Sequence, residues 1–236
     1  MAQPLKILPR CDACHAREQC FFGDLPAPQL DAFSQIRHFH SYKARQVLFH
    51  EGTPALGFHI CCAGRVKISK ADSNGREQII RIASPGEIIG EEAILEAQPY
   101  GATAEALDDC HTAFVKRQEF VTFLQSTQAI GQRFLLHLCR ILIDTQGRLA
   151  RMGLGDARAR LAGALLDLSQ RYGKPARGGT DLDLNLSRAE LAAMVGLSPE
   201  TAMRLLSEFK DDGLVRLDGR RITVLSQDRL SELSTL

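Results

Sequence analysis

No run of about 18 apolar residues occurs in this 236-residue chain, so no transmembrane helix is expected. The opening stretch, MAQPLKILPRCDACH, has no apolar core of the kind a secretory signal needs. Together these absences make a cytoplasmic protein, with no membrane partner, the expectation. Net charge is nearly absent as well: 29 Lys and Arg against 28 Asp and Glu leave +1. That excludes a general polyanion-coating surface but leaves room for one local basic face. No internal repeat or low-complexity segment stands out. No nucleophile–base pair and no paired carboxylates emerge, so an enzyme is not expected. The rest is ordinary globular composition, 44% hydrophobic and 24% charged, at a length that suits two modest domains.

The seven cysteines are odd in number and unevenly placed. A reducing compartment disfavours structural disulfides, so their crowding suggests metal or redox chemistry. Cys11, Cys14 and Cys20 fall within ten residues, between Arg10, Arg17 and the pair Phe21-Phe22. Thiolates are soft ligands suited to iron–sulfur clusters or zinc. Three readings stay open on the residues alone: an iron–sulfur cluster, a zinc site completed by His15 or His111, or reactive thiols without metal. Cys61 and Cys62 are neighbours on one expected strand and so face opposite sides. Cys139 lies in a long helical stretch and reads as packing. The other histidines, His38 and His40 among them, have ordinary readings, and no haem motif is present.

Residues 198–213, SPETAMRLLSEFKDDG, predict a helix with clear ends. Ser198 is a good N-cap, Pro199 suits the first helical position, and Gly213 stops the helix. Leu205, Leu206 and Phe209 give it an apolar face. The preceding helix opens on Ser187-Arg188-Ala189-Glu190, a capping-box spacing, and ends at Gly196-Leu197. Two helices across so tight a turn read as a helix-turn-helix. On the polar face, Glu200 can accept from a cytosine amino group and Arg204 can fork onto guanine. Strand 214–217, an Asp218-Gly219 turn and strand 220–224 follow as a hairpin, making a winged helix. A small helical domain with a hairpin tail is the plainer alternative.

Upstream, residues 1–22 form a Cys-bearing arm and 25–37 a short amphipathic helix. From 46 to about 117, short β segments alternate with turn signals, as in a sandwich or barrel. A helix is expected from about 118 to 152. Leu135, Leu138, Leu142, Thr145, Leu149 and Met152 alternate three and four apart, as in a coiled-coil seam; packing on its own barrel is the alternative. A further helix is expected over 156–172, then a soft segment over 173–180.

β-barrel, long helix and winged helix, in that order, resemble the CRP/FNR superfamily of bacterial transcription regulators. The resemblance rests on Leu48-Phe49…Glu51-Gly52, Gly64-Arg65-Val66-Lys67, Asn74-Gly75…Glu77-Gln78-Ile79, Pro85-Gly86-Glu87-Ile88-Ile89-Gly90 and Gly196-Leu197-Ser198-Pro199-Glu200-Thr201. It implies an α+β fold: an N-terminal cyclic-nucleotide-binding-like β-barrel of jelly-roll type, a long dimerisation helix and a C-terminal winged helix-turn-helix. The implied divisions are 1–22, 23–117, 118–152 and 153–236. It also implies a homodimer on an inverted-repeat site in double-stranded DNA, with RNA polymerase as a further partner. Arg188, Ser198, Glu200, Thr201, Arg204 and Arg220 would touch DNA, and Leu135, Leu138, Leu142, Thr145 and Leu149 would form the dimer interface. Family members typically carry Glu-x-x-Ser-Arg or Glu-x-x-Gly-Arg on the recognition helix. Met203 fits neither.

A cyclic nucleotide such as cAMP would need a cation for its phosphate. The stretch Gln98-Pro99-Tyr100-Gly101-Ala102-Thr103-Ala104 has none, so cAMP is not the expected effector. The arm's spacing is that of FNR-like members, which implies a [4Fe–4S] cluster on Cys11, Cys14, Cys20 and a fourth Cys from the barrel. Cys110 is the expected fourth ligand, although the family's usual position falls nearer Ala113. The cluster would favour the dimer under low oxygen, and oxygen or nitric oxide would destroy it. Asp144-Thr145 is the expected bistable element of the dimer helix. A regulator answering to another effector, and an iron–sulfur or thiol redox protein without DNA affinity, are the rivals.

Overall fold

The computed structural model describes residues 11, 14, 16–91, 94 and 98–234. Arg10 and His15 lie outside the described residues. The chain divides into two compact units, Met1–Lys70 with Ile80–Leu136, and Ala71–Ile79 with His137–Leu236. The division falls inside the long helix, earlier than the 152–153 boundary expected from the sequence. Among the described residues, no helix is long and apolar enough to cross a membrane.

Among the described residues, eight strands follow α1 (Ala27–Gln35): β1 (Arg37–Tyr42), β2 (Val47–Phe49), β3 (Gly57–Ala63), β4 (Val66–Ala71), β5 (Glu77–Ala83), β6 (Ile88–Ile89), β7 (Thr103–Ala106) and β8 (Cys110–Lys116). They form two four-stranded sheets, ordered β1-β8-β3-β6 and β2-β7-β4-β5. The jelly-roll barrel is thus a sandwich, whose core takes Phe49, Cys61, Val66, Ile68, Ala104 and Cys110 from both sheets. β3 and β8 pair antiparallel, with His59 opposite Phe114, Ile60 opposite Ala113 and Cys61 opposite Thr112. Side chains alternate across a sheet, so adjacent residues on these strands serve different faces.

The outer face of the first sheet is covered by aromatic rings. Phe22 stacks on Phe33 of α1 with centroids 3.9 Å apart, and Phe58 of β3 meets Phe120 at 4.8 Å. Phe22, Phe33, Phe58 and Phe120 are all fully buried. Phe22 belongs to the segment expected to be an arm with little core of its own. The arm's end is instead a core element.

The single helix expected over 118–152 is two helices, α2 (Arg117–Ser126) and α3 (Gln128–Leu154). Thr127 breaks them with φ −141° and ψ 76°, outside the helical region. The break allows α2 to lay Phe120 and Phe123 into the aromatic layer while α3 continues in its own direction. On α3, Leu135, Leu136, Leu142, Ile143 and Leu149 are exposed.

In the second unit α4 (Ala157–Tyr172) is capped by Asp156, whose carboxylate accepts from the Ala159 N–H at 2.7 Å. The soft segment expected at 173–180 is a hairpin, β9 (Gly173–Ala176) and β10 (Gly179–Leu182). It joins the wing strands β11 (Val215–Asp218) and β12 (Arg221–Val224) in one sheet, ordered β11-β12-β10-β9. Asp218 pairs with Arg221, so the wing turns on Gly219-Arg220, one residue later than the Asp-Gly pair suggested. Helices α5 (Arg188–Val195), α6 (Pro199–Asp211) and α7 (Gln227–Ser234) complete the unit.

Candidate DNA-reading face and thiol pocket

The helix-turn-helix is fixed by local bonds. Ser187 and Glu190 form the full capping box at the start of α5. Gly196 adopts the left-handed conformation, φ 64°, which an L side chain enters only with strain, and the Leu197 N–H bonds back to the Ala192 carbonyl at 3.1 Å. Two residues later the Ser198 hydroxyl accepts from the Thr201 N–H at 3.2 Å and opens α6. Ala202, Leu205, Leu206 and Phe209 bury one side of α6. Glu200, Met203 and Arg204 are left on the exposed side.

Each expected DNA-contacting residue has a definite place. The Glu200 carboxyl is held below its usual range by its own backbone N–H and the Ser198 hydroxyl, so it stays an acceptor. Arg204 donates to Glu208 at 2.6 Å, and Arg158 holds the other Glu208 oxygen at 3.0 Å. Ser198 and Thr201 are joined by a hydroxyl–hydroxyl bond of 3.1 Å and act first as the helix cap. Arg188 is half-buried and donates to the Gly219 carbonyl at 2.8 Å, so it ties α5 to the wing turn. Arg220, on that turn, is exposed.

The seam residues Leu135, Leu142, Thr145 and Leu149 are exposed, and Leu138 is half-buried. Cys139 stands exposed beside them instead of packing within the chain. Asp144 is exposed and 3.8 Å from Arg171, while the Thr145 hydroxyl donates to the Ile141 carbonyl.

The arm thiols converge on the barrel. Backbone bonds step in threes, from the Cys14 N–H to the Cys11 carbonyl, Arg17 to Cys14 and Cys20 to Arg17. Three residues per turn place positions i and i+3 one above the other. Cys11, Cys14, Arg17 and Cys20 therefore share one side, and all four line a single pocket with Arg37, Ile60, Cys62, Gly86 and Ala113. Gly86 permits this approach: its φ is +94°, and a Cβ there would meet the Gln19 carbonyl oxygen at 2.5 Å. Burial pushes the Cys20 thiol up to about 11 and the Cys62 thiol up to about 12. Cys14 and Cys20 add to the Cys62 shift, and Arg37 opposes both.

Cys110, the expected fourth ligand, is not brought to this pocket. It is fully buried inside the sandwich, on the other face of the sheet, where burial and then Asp108 and Asp109 push its thiol up to about 12. Its cysteine neighbour is Cys61, which borders the pocket but turns its thiol to the Gly64 carbonyl at 3.4 Å. Cys62 reaches the arm because it faces outward from β3, beside Ala113 on β8. The sequence held both halves of this result: the alternation of Cys61 and Cys62, and the family position near Ala113. Neither specifies that β3 and β8 are neighbours. Arg37 carried no signal in the sequence at all. The zinc alternative's His111 bonds the Ser41 hydroxyl at 3.0 Å and does not line the pocket.

Residues 39–127 match the cyclic nucleotide-binding domain and residues 159–233 the Crp-like helix-turn-helix domain. The chain belongs to the CRP/FNR family of transcription regulators. A CRP-like cAMP-activated global transcriptional regulator of Mycobacterium tuberculosis is 29% identical over 220 residues, covering 93% of this chain and 98% of that protein. The transcriptional activator FnrL of Cereibacter sphaeroides is 26% identical over 224 residues, covering 93% of this chain and 89% of that one. The solved structure of FixK2 from Bradyrhizobium japonicum superimposes with a TM-score of 0.75 at 26% identity, over 85% of this chain and 98% of that one. Members of this CRP/FNR family bind DNA and act as dimers, not as enzymes, and the Crp-like helix-turn-helix match covers α6 and the wing strands. In this regulator Tyr100 occupies the sandwich core, its ring stacked on Phe49 at 3.7 Å and its hydroxyl donating to the Gly57 carbonyl at 2.7 Å.

Proposed function

We propose that this CRP/FNR regulator senses oxygen or nitric oxide through a [4Fe–4S] cluster held by Cys11, Cys14, Cys20 and Cys62. The observation that carries this reading is the convergence of three arm thiols and one barrel thiol on the same pocket. A cluster of this kind takes four thiolates; five cysteines line the pocket, and Cys61 turns its thiol to the Gly64 carbonyl, which leaves four. Arg37 supports the fit. It borders the same pocket, and its buried Nε has no hydrogen-bond partner, which suits a cation placed to face an anionic group. Among the described residues, no three His, Cys, Asp or Glu side chains converge tightly enough for one metal ion.

When bound, the cluster supplies a centre that oxygen can dismantle. The chain's own residues carry the consequence. Cys20 adjoins Phe21, which meets Phe134 of α3 at 6.1 Å and lies 5.7 Å from the Arg133 guanidinium carbon. Arg133 also pairs with Asp24 at 3.2 Å. Releasing Cys20 loosens these contacts on the first turns of the dimer helix and shifts the monomer–dimer population, with DNA binding following. RNA polymerase is the proposed downstream partner. The cAMP response named for the Mycobacterium tuberculosis relative is disfavoured, because residues 98–104 bring no cation and Tyr100 fills the core.

The test is an absorption spectrum of anaerobically purified full-length protein, with iron and acid-labile sulfide measured per chain. About four of each, lost in air together with DNA binding, is the expected result. Zinc without sulfide, or thiols without metal, overturns the cluster and leaves the regulator assignment standing.

A further inference from the structure

Most exposed large apolar side chains among the described residues lie on α3, where the family's dimer accounts for them. Met203 does not. It is 52% exposed at the edge of the outward side of α6, whose buried side is formed by Ala202, Leu205, Leu206 and Phe209. It follows Glu200 by three residues, and so lies one turn along the same face, directly beside Arg204. A thioether has no hydrogen to donate and is only a weak acceptor, so Met203 reads nothing by hydrogen bonding. The major-groove edge of DNA has one apolar feature, the C5 methyl group of thymine. An unbranched, three-torsion side chain is well suited to reach and cover it.

We infer that Met203 is a specificity-determining residue that recognises a thymine methyl next to the base pairs read by Glu200 and Arg204. This rests on the DNA-binding assignment alone and not on the thiol pocket. Glu200 and Arg204 supply polar readout; Met203 adds an apolar contact that distinguishes thymine from every other base.

The test isolates the methyl group. A palindromic duplex is selected from a random library with the full-length protein. Each thymine is then replaced by deoxyuridine, symmetrically in both half-sites, so that only the methyl is lost. Burying one methyl corresponds to a change of about four-fold in affinity per half-site, hence on the order of fifteen-fold for the dimer. One thymine position is expected to show this loss with the wild-type chain. Met203→Leu retains the sensitivity, and Met203→Ser abolishes it while keeping the requirement at the guanine. The inference is overturned if no thymine-to-deoxyuridine replacement weakens binding beyond two-fold, or if the same loss persists in Met203→Ser.

Discussion

On α6 the proposed reading groups stand in solvent, and each is steadied by a partner within four residues: Glu200 by Ser198, Arg204 by Glu208. In the thiol pocket the functional groups face inward, and they come from an arm and a strand far apart in sequence. A reading face built from local bonds loses one contact when one side chain changes. An enclosed ligand set built from tertiary contacts fails when any member is lost. The two regions should therefore answer mutation differently, in graded steps on the helix and all-or-none in the pocket.

The sharpest test lies between two thiols that burial affects alike. Cys62 and Cys110 are both pushed up to about 12, on neighbouring strands, but on opposite faces of one sheet. Cys62→Ser is expected to lose essentially all iron and sulfide, whereas Cys110→Ser keeps both at a stability cost of roughly 1–3 kcal/mol for a hydroxyl in an apolar core. Moving the thiol sideways sharpens the point. Cys62→Ala combined with Ala113→Cys returns a thiol to the same outer face and should restore iron binding. Loss of iron in Cys110→Ser, with retention in Cys62→Ser, would reverse the assignment.

Leu142→Asp comes next in size. Leu142 is exposed in the single chain and belongs to a stripe with Leu135 and Leu149 that a second copy would cover. A carboxylate buried there without a partner costs roughly 3 kcal/mol or more, which should shift the protein to monomer. Sedimentation under DNA-binding conditions checks this. An unchanged dimer would mean that this stripe lies outside the interface.

How far each region was legible in the sequence follows from the same contrast. The caps at Ser187 and Ser198, the stop at Gly213 and the exposed placing of Glu200 and Arg204 depend on neighbours three or four residues away, so the sequence states them. The break at Thr127 depends on α2 turning Phe120 and Phe123 into an aromatic layer, which no local signal records. The fourth thiol depends on which strand lies beside β8. An offset along the chain places Cys110 three residues from Ala113, yet alternation and register turn it into the core. Cys62, distant in sequence, is the one beside Ala113 on the outer face.

His59 tests the inward-facing logic at intermediate size. Burial, with His40 adding to it, lowers its pKa from 6.5 to about 3, and its Nδ1 lies 3.0 Å from the Thr112 hydroxyl. Between those two pH values the unfolded chain binds a proton that the folded chain refuses. Stability is therefore intact above pH 6.5 and declines as pH falls below it. At pH 5 the loss should be about 2 kcal/mol relative to pH 7.5. Urea midpoints at the two pH values measure it, and His59→Phe should remove that share of the difference. An equal pH dependence in wild type and variant would show that His59 is not held neutral.

The smallest expected effect is at Glu208, and it probes whether the outward face is as local as its bonds imply. Glu208 accepts from Arg204 with one oxygen and from Arg158 with the other. It touches no other reading group on the exposed side of α6, so its influence on DNA passes through the aim of Arg204. Arg204→Ala should cost roughly 1–3 kcal/mol at one guanine. Glu208→Gln keeps the size of the side chain but removes its charge. The surface pair it forms with Arg204 stabilises by only about 0.3–1 kcal/mol. Losing it should widen the range of bases accepted at that guanine by a few-fold, while binding to unrelated DNA rises slightly because a negative charge has left the groove-facing side. Measuring the ratio of Kd values for the selected site and its guanine-to-adenine variant, at one fixed salt concentration, separates the two effects. A uniform fall in affinity on every sequence would mean that Glu208 supports α6 as a whole and not the aim of Arg204.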